Sequence, residues 1–129
     1  MVCADTSFII ALERREPDAL QKVQELEDKG EVVYTTAVTV AELYRGAYGS
    51  KGRAKALKDA KDLLDLFATL SLDYESGRMW GELAHSMKSD TIGDRDLFIA
   101  SIALANKQPL ITRNRKHFER VPGLQVEGW

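Results

Sequence analysis

Val2-Cys3-Ala4-Asp5-Thr6-Ser7-Phe8-Ile9-Ile10-Ala11-Leu12 is the stretch on which the fold turns. Its first three residues form an apolar run that stops at Asp5-Thr6-Ser7, after which Phe8, Ile9, Ile10 and Leu12 resume it and lead into the charged Glu13-Arg14-Arg15-Glu16. A buried strand passing directly into a helix is the pattern this predicts.

The segments beyond it repeat that alternation. Pro17 opens a helix in which Leu20, Val23 and Leu26 share a face, ending near Gly30. Residues 31–35 are β-rich, Thr39 starts a helix through Tyr44 and Tyr48, and residues 54–67 read as a helix with a basic outer face. Residues 69–72 predict a third strand, followed by a helix with Met79, Trp80, Leu83 and Met87 at core spacing and His85 on its polar side. Thr91-Ile92-Gly93-Asp94 reads as a turn, and Asp96 begins a run, residues 97–105, that is apolar nearly all round and belongs in the interior. Pro109-Leu110-Ile111-Thr112 predicts a short strand, a basic turn follows, and residues 124–129 add an edge strand. The expectation is an α/β fold: one three-layer domain over residues 1–129, with a mainly parallel central sheet flanked by helices.

A chain of 129 residues, 44% of them hydrophobic, buries roughly two-thirds of its unfolded surface in one core. The single cysteine, Cys3, lies in an apolar stretch and reads as a small core residue, so nothing asks for an oxidising compartment. No run reaches the roughly 18 apolar residues that span a bilayer, and no signal-peptide pattern opens the chain. The expected location is the cytoplasm, with no membrane partner. Net charge is −2, which excludes a uniformly cationic nucleic-acid binder. Basic residues are nevertheless grouped, at Arg45, Lys51, Arg53, Lys55, Lys58 and Lys61, and at Arg113, Arg115, Lys116 and Arg120. A solvated helix face accounts for the first group, while the second is short and loop-like.

In an open parallel sheet, ligands bind outside the C-terminal ends of the strands. Three acids fall there: Asp5 ends the first strand, Glu42 lies in the first turn after the second, and Asp96 starts the buried helix. Carboxylates gathered without Lys or Arg repel one another unless a cation is present, and a few hard oxygen donors suit Mg²⁺ or Mn²⁺. Each acid also has a structural explanation. Asp5 suits an N-cap, Glu42 completes a capping box with Thr39, and Asp96, like Asp94, suits a helix N-terminus.

Four segments taken in order resemble the PIN-domain family and, within it, the VapC-type toxins of toxin-antitoxin pairs. They are Val2-Cys3-Ala4-Asp5-Thr6-Ser7, Val38-Thr39-Val40-Ala41-Glu42-Leu43-Tyr44-Arg45-Gly46, Ile92-Gly93-Asp94-Arg95-Asp96-Leu97-Phe98-Ile99-Ala100, and Ile111-Thr112-Arg113-Asn114 with Phe118 and Val121-Pro122-Gly123-Leu124. The resemblance implies a metal-dependent ribonuclease with ligands Asp5, Glu42 and Asp96, a homodimer, and a cognate antitoxin. The family often carries a fourth acid where this chain has His117, a departure that weakens a second metal site, with Asp94 or Asn114 as compensating donors.

The expected mechanism is hydrolysis of RNA with one Mg²⁺ or Mn²⁺ on the three acids. Thr6 and Thr112 hydrogen-bond ligands or phosphate, and Arg113, Asn114 and Arg115 hold the RNA backbone. The competing readings are a structure-selective DNA nuclease, a catalytically silent PIN-like interaction domain, and a receiver-like signalling domain using Asp73 as phosphoacceptor.

Overall fold

β1 (Val2–Ala4) is the central strand of a five-stranded sheet. With β2 (Val33–Thr36), β3 (Ala68–Leu70), β4 (Leu110–Ile111) and β5 (Val126–Glu127) it forms the order β3-β2-β1-β4-β5, every neighbouring pair parallel. The computed structural model describes residues 1–87 and 92–129. Thr91, the first residue of the expected turn before Asp94, lies outside them.

Parallel pairing explains why β1 has no polar face. Val2 and Ala4 join an apolar cluster with Phe8, Ile9 and Leu12, whereas Cys3 joins a second cluster with Ile99, Ala100 and Phe118. Successive side chains of a strand point to opposite faces, so the two clusters are the two interfaces of a three-layer fold. The helices α1 (Thr6–Glu13), α2 (Pro17–Asp28), α3 (Ala37–Tyr48) and α4 (Arg53–Leu64) supply the first cluster. α5 (Tyr74–Ser86) and α6 (Asp94–Ala105) line the second, and a one-turn helix α7 (Arg115–Phe118) adds Phe118. Burying a side chain the size of Phe8 or Phe118, both 0% exposed, is worth about 1.5–3 kcal/mol. Trp129 packs edge-on against Phe8 with ring centroids 4.8 Å apart, which ties the last residue to α1.

The α5 stripe is packing: Leu83 and Met87 are buried, Met79 and Trp80 lie against the second cluster, and Trp80 stacks on Phe98 of α6 at 4.9 Å. His85 is exposed, as expected. On α4, Lys55, Lys58 and Lys61 each pair with the aspartate four residues on, so this half of the first basic group is a solvated face with its own counter-charges.

Three boundaries differ from the sequence reading in ways that bear on the site. β2 runs to Thr36, and α3 starts at Ala37, not Thr39. Thr36 is the N-cap, its hydroxyl accepting from the Thr39 amide at 3.2 Å, so Glu42 sits in the second turn and no capping box holds it. α6 is capped by Gly93, whose φ of +88° is open to glycine and strained for other residues, and Asp94 is therefore the first helical residue and not the cap. β3 is displaced by one to two residues from the expected 69–72.

The candidate metal and nucleic-acid site

The chain leaves β1 toward β2 and β3 on one side and returns to β4 on the other, so the sheet changes direction between β1 and β4. Loops part at such a point and open a crevice beyond the strand ends. Asp5 follows β1 there, and Thr112 follows β4.

Asp5 is 3% exposed and serves two purposes. Its Oδ1 caps α1 by accepting from the Phe8 amide at 3.0 Å, and it also takes the Ser7 hydroxyl at 2.6 Å. Its Oδ2 accepts from the Thr112 hydroxyl at 2.6 Å, a bond between residues 107 apart in sequence. Burial raises the Asp5 pKa; the Ser7, Thr112 and Phe8 bonds oppose it, and the charge of Asp96 adds to it. Asp96 is thus an electrostatic neighbour of Asp5. Burial also pushes the Cys3 thiol up to about 12, with Asp5 adding to the effect, which makes it an inert core residue.

Glu42 is half-buried, and its Oε1 accepts from the Thr6 hydroxyl at 3.0 Å. Thr6 in turn lies 2.9 Å from the Thr39 hydroxyl, and Thr36 donates to Thr39 at 3.3 Å. The other Glu42 oxygen pairs with Arg95 at 3.5 Å. Asp96 lies at the third position of α6, its Oδ2 2.9 Å from His117 Nε2. Arg120 reaches His117 Nδ1 at 3.3 Å. Asp94 is exposed and lines a cleft with Glu42, Ile92, Gly93, Arg95 and Asp96.

The basic turn divides in two. Arg113 pairs with Glu16 at 3.2 Å and Asp18 at 3.7 Å, and its guanidinium lies 4.7 Å over the Trp129 ring. Arg115 pairs with Glu119 at 3.5 Å. Asn114 gives its amide to Thr112 Oγ1 at 2.9 Å and starts α7. Residues 113–117 and Arg120 line an open cleft of about 670 Å³.

Among the described residues, no three acids, histidines or cysteines are gathered closely enough to hold an ion as they stand. The donor chemistry nevertheless suits a hard divalent cation. The crevice carries carboxylate oxygens steadied by hydroxyls, with Arg95 and His117 supplying positive or hydrogen-bonding counterparts to Glu42 and Asp96. The receiver alternative has no support here: Asp73 caps α5 through Ser76, bonds that hold its pKa down, and it follows the edge strand β3. No sequence signal assigns Ser7, Thr36 or Arg95 a place at the site, and the spacing of Thr39 three positions before Glu42 points only to a cap.

A wholly parallel five-stranded sheet with acids at its switch point places the chain among the α/β proteins that bind ligands beyond their strand ends. Residues 2–124 match the family model described as PIN domain, and the chain belongs to the PIN domain family, in its VapC-type branch. It is 31% identical over 128 residues to Ribonuclease VapC1 of Haemophilus influenzae (strain R2866), covering 97% of this chain and 95% of that one. Among solved structures it is similar to VapBC2 from Rickettsia felis bound to a promoter DNA fragment, with TM-score 0.90, 27% identity, and coverage of 100% and 99% of the two chains. VapBC-1 from nontypeable Haemophilus influenzae gives TM-score 0.89, 29% identity, and coverage of 100% and 98%.

Proposed function

We propose that the chain is a metal-dependent endoribonuclease, the toxin of a toxin-antitoxin pair, which hydrolyses RNA phosphodiester bonds at the crevice beyond β1 and β4. One observation carries the reading: Asp5 is a carboxylate 3% exposed, destabilised in its charged form by burial and by Asp96, with no ion pair among the described residues. Such a group is costly to keep unless a cation offsets it. Asp5, Glu42 and Asp96 would hold one Mg²⁺ or Mn²⁺, with Asp94 a further oxygen donor at the rim. When bound, the ion supplies positive charge to the scissile phosphate and acidifies a water.

The side chains perform the remaining work. Thr112 and Ser7 fix Asp5, and Thr6 fixes Glu42, so that these carboxylates enter the reaction already oriented. One of the three carboxylates accepts the proton of the attacking water. Arg95 pairs with Glu42 and His117 with Asp96, contacts that a divalent ion held by these carboxylates would replace. Arg113, Asn114 and Arg115, beside Thr112, would hold the RNA backbone, Arg113 exchanging Glu16 and Asp18 for phosphate.

The VapBC complexes among its relatives support a cognate antitoxin as partner. A homodimer, a cytoplasmic location and a single domain over residues 1–129 belong to the same proposal. Among the described residues no helix is long and apolar enough to cross a membrane. The test is cleavage of matched single-stranded RNA and DNA by antitoxin-free protein, with Mg²⁺, Mn²⁺ or EDTA. RNA cut only with metal supports the proposal. Preferential cutting of DNA would favour the DNA-nuclease alternative, and no cutting of either would favour a silent interaction domain.

A further inference from the structure

Three threonine hydroxyls form a chain that ends on Glu42. Thr36 and Thr39 are wholly buried, and Thr6 is half-buried. The direction of each bond follows from the single proton each hydroxyl carries. An ionised Glu42 only accepts, so the Thr6 proton goes to Oε1 at 3.0 Å. In the 2.9 Å contact between Thr6 and Thr39, Thr39 must then donate. Thr39 has no second proton, so Thr36 donates to it at 3.3 Å, while a Thr36 lone pair takes the Thr39 amide. The order runs from the helix cap through Thr39 and Thr6 to the carboxylate, with every proton aimed the same way.

The cap of α3 does not need the Thr39 hydroxyl: it is made by Thr36 Oγ1 and the Thr39 backbone, and a valine would fill the same buried volume, costing the fold only the acceptor to which the buried Thr36 hydroxyl donates. The hydroxyl instead occupies one Thr6 lone pair and leaves the Thr6 proton free for Glu42. Hydrogen bonds in such a row polarise one another, by roughly 10–30% per bond. A glutamate has enough rotamer freedom that one hydroxyl on a half-exposed residue is a loose anchor, and a polarised row is a firmer one.

We propose that Thr39 is a positioning residue for Glu42, acting through Thr6 to set the affinity of the site for a divalent cation. It rests on the reading of Glu42 as a ligand. The experiment is calorimetric titration of metal-free protein with Mn²⁺. Thr39→Val is expected to bind about tenfold more weakly than wild type, in the range found when the hydrogen-bond partners of metal ligands are removed. Thr39→Ser, which keeps the hydroxyl, should stay within about twofold. Thr39→Ala, which removes the hydroxyl without adding bulk, reads the same loss if the valine variant does not fold. In a Glu42→Gln background, Thr39→Val should cause no further weakening.

Wild-type affinity in Thr39→Val or Thr39→Ala, with weakened binding in Glu42→Gln, overturns the positioning role and leaves the ligand reading standing. Undiminished binding in Glu42→Gln overturns the ligand reading first, and the role of Thr39 with it. Equal weakening by Thr39→Val with and without Glu42→Gln also overturns the role, because Thr39 would then act by another route.

Discussion

Thr112→Val isolates the contact that joins the two strands at the switch point. Thr112 is 0% exposed, and valine preserves its shape, so the change removes hydrogen bonds and little else. The lost donor to Asp5 Oδ2, at 2.6 Å, is a charge-assisted bond worth about 1.5–3 kcal/mol. The lost acceptor for the Asn114 amide, at 2.9 Å in a partly buried place, is an ordinary bond worth about 0.5–1.5 kcal/mol. Together they predict a loss of about 2–4.5 kcal/mol for the metal-free protein near neutral pH, out of a total of about 5–15 kcal/mol for a domain. The Thr112 bond favours the charged form of Asp5, so its loss raises the Asp5 pKa further. The gap between wild type and variant must then widen as pH rises through the titration of Asp5, and narrow as pH falls. Urea unfolding in EDTA at a series of pH values measures both quantities. A loss below about 1 kcal/mol, or a gap that does not change with pH, would refute this account of how Asp5 is held.

The remaining predictions concern the charges around it. Asp5 has a raised pKa, so its contribution to folding is fullest below the ordinary carboxylate range and declines as pH rises. Asn also caps helices, and Asp5→Asn should therefore raise metal-free stability at neutral pH by on the order of 1 kcal/mol, an advantage that vanishes in acid when followed by thermal unfolding. His117→Asp puts a second carboxylate against Asp96; it should lower metal-free stability and tighten Mn²⁺ binding about tenfold in a calorimetric titration, and unchanged affinity would count against position 117 as a weakening of the site. Arg113→Ala should cost about 1 kcal/mol in urea unfolding, from its contact over Trp129 and two partly exposed ion pairs, and should raise the KM for RNA in cleavage assays with kcat little changed.

The layer architecture was legible because β1 is apolar on both faces and α6 is apolar nearly all round, a burial pattern that parallel sheets impose. The C-terminal edge strand and the α5 stripe followed from the same periodicity. The surroundings of the acids were less legible. Asp5 was weighed as a cap or as a ligand, and the cap is real, but it uses only one carboxylate oxygen and leaves the other at the crevice. For Glu42 the capping-box spacing misled, because β2 extends to Thr36 and takes the cap three residues earlier. That shift removes the structural explanation for Glu42 and turns Thr39 from a cap into part of the hydroxyl row. The pairs of Arg95 with Glu42 and of His117 with Asp96 join separate elements, and no local spacing announces such contacts. The partners of Arg113 were not legible, because Glu16, Asp18 and Trp129 are distant in sequence and close only in the fold.

The proposed ribonuclease activity rests on Asp5, Glu42 and Asp96 acting as one metal site. The most direct measurement is the rate of RNA cleavage by Asp5→Asn, Glu42→Gln and Asp96→Asn at saturating Mn²⁺, each shown by circular dichroism to be folded and by calorimetry to have changed Mn²⁺ binding. Each substitution alone is expected to slow cleavage by at least about 100-fold and to weaken Mn²⁺ binding. A folded variant of any of the three that cuts RNA at the wild-type rate would contradict that reading.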